Sequence, residues 1–151
     1  MREMRLRSRT GDNVLAAIAA AARLDEGIIG AVRRLGIIVN LITNAKDAVV
    51  ESSSTKREVR VSTRLDGREM VVIEVSDSGV GIAPDDMVRI FSYGFTTKVD
   101  GHGFGLHRSA LIAREMGGGV RVKSEGIGMG ATFQLEVPLS GESSQKAELA
   151  A

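Results

Sequence analysis

The sequence predicts an α/β two-layer sandwich, in which one mixed, mostly antiparallel sheet is covered on one face by helices. Three observations lead there. Apolar residues recur at three- and four-residue steps across residues 26–51, which marks a long helix. Residues 58–65 and 69–76 alternate on either side of Asp66-Gly67, which marks a hairpin. Residues 120–125 and 131–138 make a second such pair. Strands that pair with their chain neighbours build an antiparallel sheet. Long amphipathic helices need one face of that sheet to cover.

The elements follow in order. Residues 1–10 alternate loosely and read as an edge strand or a disordered arm. Gly11-Asp12-Asn13 is a turn, and Asp12 or Asn13 suits a helix cap. Residues 14–24 favour helix because alanine loses no side-chain entropy. The helix over 26–51 places Ile28, Val32, Leu35, Val39, Ile42 and Val49 on its apolar stripe, and Ser52-Ser53-Ser54 ends it. Val59, Val61, Thr63 and Leu65 alternate in the first strand, and Met70 to Val75 return in the second. Pro84 opens a short helix whose positive end Asp85 and Asp86 suit. Residues 92–104 carry glycines and threonines without periodicity, which predicts a mobile loop. Leu106, Ala110, Ala113 and Met116 restore helical spacing, and Gly117-Gly118-Gly119 stops that helix. Residues 140–151 read as a frayed polar tail. The chain thus divides into a helical segment over 1–34, a domain over 35–139 and a tail.

Composition narrows the function. A chain of 151 residues makes one domain of ordinary size. Without cysteine it has no disulfide framework and no thiolate zinc site, which fits a reducing, cytoplasmic setting. Twenty basic and 19 acidic residues leave a net charge of +1, aromatics are 3%, and tryptophan is absent. Neither charge steering nor base stacking toward nucleic acid is expected. Arg2, Arg5, Arg7 and Arg9 precede the alanines of 16–22 as in a leader, but Gly11-Asp12-Asn13 interrupts the apolar stretch. No stretch reaches the ~18 apolar residues of a membrane helix.

Several short blocks carry chemistry. Asn40 and Asn44 lie four apart on the long helix and point the same way. A carboxamide oxygen is a hard neutral ligand suited to magnesium; the plain alternative is a pair of asparagines making local backbone bonds. Asp77 follows a buried-looking strand and precedes Gly79 and Gly81. Its carboxylate can accept the exocyclic amine of adenine, and the glycines let the backbone approach a flat base. The same residues read equally well as an Asp-Ser-Gly turn. Gly101, Gly103 and Gly105 precede a helix, the arrangement that presents N–H groups to phosphate. They serve equally as a flexible connection. Lys98 lies just upstream, within reach of terminal phosphates, or is a solvated surface lysine. His102 and His107 are the two histidines, read as a loop residue and a helix-surface residue.

Taken together, the blocks Asn40-Leu-Ile-Thr-Asn44-Ala45, Asp77-Ser-Gly79-Val-Gly81, Gly94-Phe95-Thr96-Thr97-Lys98, Gly101-His-Gly103-Phe104-Gly105-Leu106 and Gly128-Met-Gly130-Ala-Thr132-Phe133 resemble the ATP-binding domain of bacterial sensor histidine kinases. That superfamily includes DNA gyrase B, the MutL repair protein and a heat-shock chaperone. The glycine blocks with Glu115-Met-Gly117-Gly118 look most like the nitrogen-regulation type. The resemblance implies a Bergerat-type fold, a left-handed β-α-β sandwich holding ATP between a helix and a lid. By motif position Asn44 would bind Mg2+, and Asn40 would sit near the γ-phosphate with Lys98 in the catalytic set. Asp77 would take the adenine amine, with Gly79 and Gly81 under the ring and Thr132 supporting that side. Thr97, Lys98, Gly101, Gly103, Phe104, Gly105 and Leu106 would surround the phosphates.

The resemblance implies a phosphotransferase whose partners are a helical-hairpin domain bearing the phosphoacceptor histidine and a response regulator. The chain has no histidine outside positions 102 and 107 to serve as that acceptor. A stand-alone anti-sigma-type serine kinase is the rival, and an ATP-hydrolysing clamp is a third reading. The hydrolytic branches carry a glutamate base where Asn40 stands, and Asn does not deprotonate water at neutral pH. The alanine-rich residues 1–24 also suggest self-association.

Overall fold

The structure is a computed structural model that describes residues 5–8, 27–67, 69–98 and 101–138. Its frame is one five-stranded sheet of β1 (Arg5–Ser8), β2 (Glu58–Asp66), β3 (Met70–Asp77), β4 (Gly119–Lys123) and β5 (Thr132–Pro138), in the order β1-β2-β3-β5-β4. β1 runs parallel to β2, and the other three pairings are antiparallel. The sheet is thus mixed and mostly antiparallel, and residues 5–8 take the edge-strand alternative. Three helices complete the described chain: α1 (Gly27–Glu51), α2 (Pro84–Met87) and α3 (Gly105–Glu115). α1 packs on β2 and β3, and α3 packs on β4. The helix expected over 14–24, self-association through 1–24 (save β1) and the tail over 140–151 lie outside the described residues.

Strand alternation decides what each face carries. Val61, Val75, Phe133 and Val122 stand in one cross-strand row, and Ile73, Leu135 and Val120 share the next. With Val59, Val71 and Val137 they face the helices and enter the core. The opposite face carries Ser62, Glu74, Gln134 and Arg121 in register. There Gln134 Nε2 donates to Glu74 Oε2 (3.0 Å), and Arg121 pairs with Glu136 (3.3 Å).

The long helix forms as expected, but a different face of it is buried. Arg34, Ile37, Ile38, Leu41, Ala45 and Val49 are each at most 1% exposed. Among the described side chains of the expected stripe Val49 is buried and Ile42 packs partly buried against the core, whereas Val32 is 62% and Val39 52% exposed. The first half of α1 is apolar nearly all round, so periodicity alone offers two stripes there. The expected stripe runs into Lys46, which is exposed, whereas the buried one continues through Ala45 and Val49 to Ser52. Continuity along the whole sheet contact selects the latter.

The ends of the elements follow their signals. Gly67 turns the β2–β3 hairpin at φ +68°. Pro84 begins α2, with Asp85 and Asp86 in its first turn. α3 ends at a Schellman arrangement: Gly117 (φ +75°) donates to Arg114 O, and Gly118 N–H donates to Ala113 O, both at 2.9 Å.

Candidate functional site

A cavity of about 550 Å³ opens between α1, the end of β3 and the loop before α3. Each wall traces to a local reason. β3 ends at Asp77 because its neighbours hold it on both sides: Asp77 N–H donates to Ala131 O (2.9 Å), and Ser78 N–H donates to Glu58 O (3.0 Å). In register with Val59, Asp77 turns to the helix side of the sheet. Its Oδ1 accepts two backbone N–H groups, from Gly79 at 2.8 Å and Ala131 at 3.3 Å. Among the described residues Oδ2 takes no partner, and it belongs to a residue lining the cavity. Burial pushes the Asp77 carboxyl above the usual range, against the pull of those two N–H groups.

The loop after Asp77 is fixed by close backbone contacts. Gly79 packs on α1 so tightly that a Cβ would lie 2.5 Å from Ala48 C, and Val80 N–H donates to Ala48 O (3.1 Å). Gly81 sits at φ +72°, and its missing side chain leaves room for the Gly126 carbonyl. Ser124 Oγ accepts from Ile82 N–H (3.0 Å) and donates to Gly130 O (2.7 Å), tying this loop to the turn before β5.

Asn40 and Asn44 both line the cavity from α1. Asn40 Nδ2 donates to the buried Ser109 Oγ of α3 (3.0 Å). That bond turns the Asn40 Oδ1 toward the start of α3, where a Cβ on Gly105 would meet it at 2.6 Å. α3 has no side-chain cap, and Phe104, Gly105 and Leu106 at its N-terminus line the same cavity. Free N–H groups and the positive helix end therefore face the space.

Residues 95–98 and 101–104, in the loop before α3, close the remaining side. Four of the chain's five aromatic residues and both histidines lie between positions 91 and 107. Tyr93 stacks obliquely on Phe104 (4.8 Å between centroids) and meets His107 edge-on (5.5 Å). Arg89 lies over Phe95, and His107 Nδ1 bonds Phe91 O at 2.9 Å. His107 is therefore a tie between α3 and this loop rather than a free surface residue. Gly103, at φ +69°, lets the loop fold on itself, with Gly94 N–H donating to Gly103 O (3.1 Å). Lys98 Nζ reaches Asp47 Oδ2 at 2.7 Å and Asn44 Oδ1 at 3.3 Å.

Eleven of the residues singled out from sequence line this one cavity: Asn40, Asn44, Asp77, Gly81, Thr97, Lys98, Gly101, Gly103, Phe104, Gly105 and Leu106. Two do not. Gly79 is buried against Ala48, where it sets the approach of loop to helix. Thr132 points to the other face of the sheet and hydrogen-bonds Ser76. Alternation puts Ala131 and Phe133 in the cavity instead. Sequence reading missed Ser109, Ala131 and Asp47 as site residues. Asp47 had a signal, since it lies one turn from Asn44 on the same helix.

The profile of the family described as "Histidine kinase-, DNA gyrase B-, and HSP90-like ATPase" matches residues 32–141, a stretch that contains the whole cavity. The chain belongs to this family. Among its relatives, sensor histidine kinase ZraS of Salmonella typhimurium is 40% identical over 103 residues, covering 68% of this chain and 21% of that protein. Sensor protein FixL of Bradyrhizobium diazoefficiens is 37% identical over 106 residues, covering 70% and 20%. The crystal structure of full-length ShkA in complex with AMPPNP shares the fold at a TM-score of 0.59 and 32% identity, over 72% of this chain and 22% of that one. The chain thus spans about a fifth of the length of these two relatives. The mixed sheet with helices on one face is the Bergerat-type fold expected of this family. No helix among the described residues is long and apolar enough to cross a membrane.

Proposed function

We propose that this chain is the ATP-binding catalytic domain of a cytoplasmic two-component sensor histidine kinase, of the nitrogen-regulation-like type. The domain would span residues 35–139. One observation carries this reading: a half-buried carboxylate, two asparagines and a helix N-terminus converge on one cavity from three separate stretches of chain. Asp77 Oδ2 would accept an adenine amine and would repel the O6 of guanine. Gly81, Ile82 and Ala131 form the apolar surround of that end. Asn44 Oδ1 is the hard oxygen available to Mg2+, which when bound would neutralise phosphate charge. The donor set fits, because a cation already rests against that oxygen in the form of the Lys98 ammonium.

The residues' part in the reaction is positioning. Asn40, held by Ser109, faces the start of α3, and the unpaired N–H groups of Gly105 and Leu106 would orient the phosphates. Thr97, Lys98, Gly101, Gly103 and Phe104 would close over them. The γ-phosphoryl group would then pass to a histidine on a separate helical-hairpin domain, and from there to a response regulator. Calorimetric titration tests the site: ATP should bind and GTP should not, and Mg2+ should strengthen binding in the parent far more than in Asn44→Ala. Equal binding of ATP and GTP would remove the adenine role from Asp77.

A further inference from the structure

Lys98 is not a free surface lysine. Its backbone N–H donates to Thr96 Oγ1 (3.1 Å), and its carbonyl accepts from Gly101 N–H (3.2 Å). Gly101 packs against Thr96 and the Lys98 stem with no space for a Cβ. This built turn aims the ammonium at α1, where Asp47 Oδ2 (2.7 Å) and Asn44 Oδ1 (3.3 Å) hold it together. Among the described residues it is the one ion pair that joins α1 to the loop over the cavity. Two hard oxygens one helical turn apart thus converge on a single cation, and one of them already belongs to the cavity wall.

We propose that Asp47 Oδ2 and Asn44 Oδ1 together form the oxygen pair of the divalent-cation position, and that the Lys98 ammonium occupies this position until nucleotide arrives. The inference rests on the nucleotide site proposed above. Magnesium needs oxygen at about 2.0–2.1 Å. A metal that close to either atom leaves no room for an ammonium between them. Entry of the metal with nucleotide therefore evicts Lys98. The charge of Asp47 stays compensated, and the released ammonium becomes available to the phosphates that arrive with the metal. Asp47 thus has two partners in turn, and the loop is docked on α1 before nucleotide enters.

The test uses the full chain as parent, Asp47→Asn, Lys98→Met and the double variant. Both side chains are more than a third exposed, so the variants are expected to fold, which a thermal melt checks. In nucleotide-free protein each single variant should speed amide exchange of residues 93–98 and 101–104 by about threefold to fivefold, the upper range for a partly exposed pair. The double variant should add nothing further. Calorimetry with AMPPNP in EDTA should show Asp47→Asn binding at least as tightly as the parent. In Mg2+ the gain that the metal brings should shrink by roughly tenfold in Asp47→Asn and persist in Lys98→Met. A parent-like magnesium gain in Asp47→Asn overturns the assignment, whatever the exchange rates do. So does loop exchange that ignores both substitutions. Failure of the parent to bind AMPPNP at all would instead overturn the nucleotide site on which this inference stands.

Discussion

Asp77 carries opposite consequences for stability and for binding. Burial raises its folded value, so its favourable contribution is present in acid and lost as pH rises through that value. Asp77→Asn should therefore stabilise the fold at neutral pH, and the difference should close as pH falls toward the ordinary aspartate value of ~3.9. Urea midpoints at several pH values check this. Nucleotide affinity should move the other way. The same variant should lose about 1.5–3 kcal/mol of ATP binding, the worth of a hydrogen bond to a charged group. Parent affinity should fall as pH drops through the raised value, because a protonated carboxyl no longer offers a charge-assisted acceptor. An ATP affinity indifferent to both the substitution and the pH would contradict this. Gly81 makes a second case. At φ +72°, beside the Gly126 carbonyl, Gly81→Ala should cost about 1–3 kcal/mol of stability. A loss well below that would mean the turn before β5 gives way. Asp77 and Gly81 were legible because chemistry and spacing coincide there. Thr132 was misplaced because a motif names residues but not the face on which alternation puts them.

Existence, type and approximate bounds of the described elements were legible except for β1, which the sequence left open between an edge strand and a disordered arm. The packing face of α1 was not. Two apolar stripes share its first half, and contact with β2, β3 and α3 distinguishes them. Substitution separates the two faces. Ile38→Ala, deep in the core, should cost about 2–5 kcal/mol. Val32→Ser, on the exposed face, should stay within ~0.5 kcal/mol. Equal losses in chemical denaturation would show that both faces are covered in solution. The loop over the cavity shows a related limit. Its glycines predicted mobility, yet Tyr93, Phe104, His107 and the Lys98–Asp47 pair give it defined anchors. Its amides are expected to exchange faster than those of β3 without nucleotide and to slow when AMPPNP binds. Slow exchange in the free protein would show a closed cover rather than a gate.

At the scale of the molecule, the arrangement binds and positions more than it reacts. Asn40 donates to Ser109 and cannot act as a base. Without one, water activation forgoes the ~10²–10⁴-fold typical of general-base catalysis, and ATP hydrolysis should be slow. His107 is tied to Phe91, and His102 sits on an exposed loop position at the cavity edge. Neither is held for in-line attack. Incubated with radiolabelled ATP, the chain should stay unlabelled while a supplied cognate helical-hairpin domain gains acid-labile label. Label on the chain alone, lost in His102→Ala or His107→Ala, would reverse that view of the histidines.

The sequence by itself determined the local choices: where strands alternate, where helices begin and stop, and which residues have the chemistry to meet an adenine, a phosphate or a metal. Those properties depend on neighbours within one turn or one hairpin. Tertiary structure decided what depends on distant neighbours. It chose the buried stripe of α1 by the reach of the sheet. It sent Thr132 to the far face and brought Ala131 to Asp77. It set Ser109 under Asn40, 69 residues away, and Lys98 against Asp47 across 51 residues. No local pattern encodes a partner at that separation, because the pairing arises only when sheet, helix and loop are assembled together.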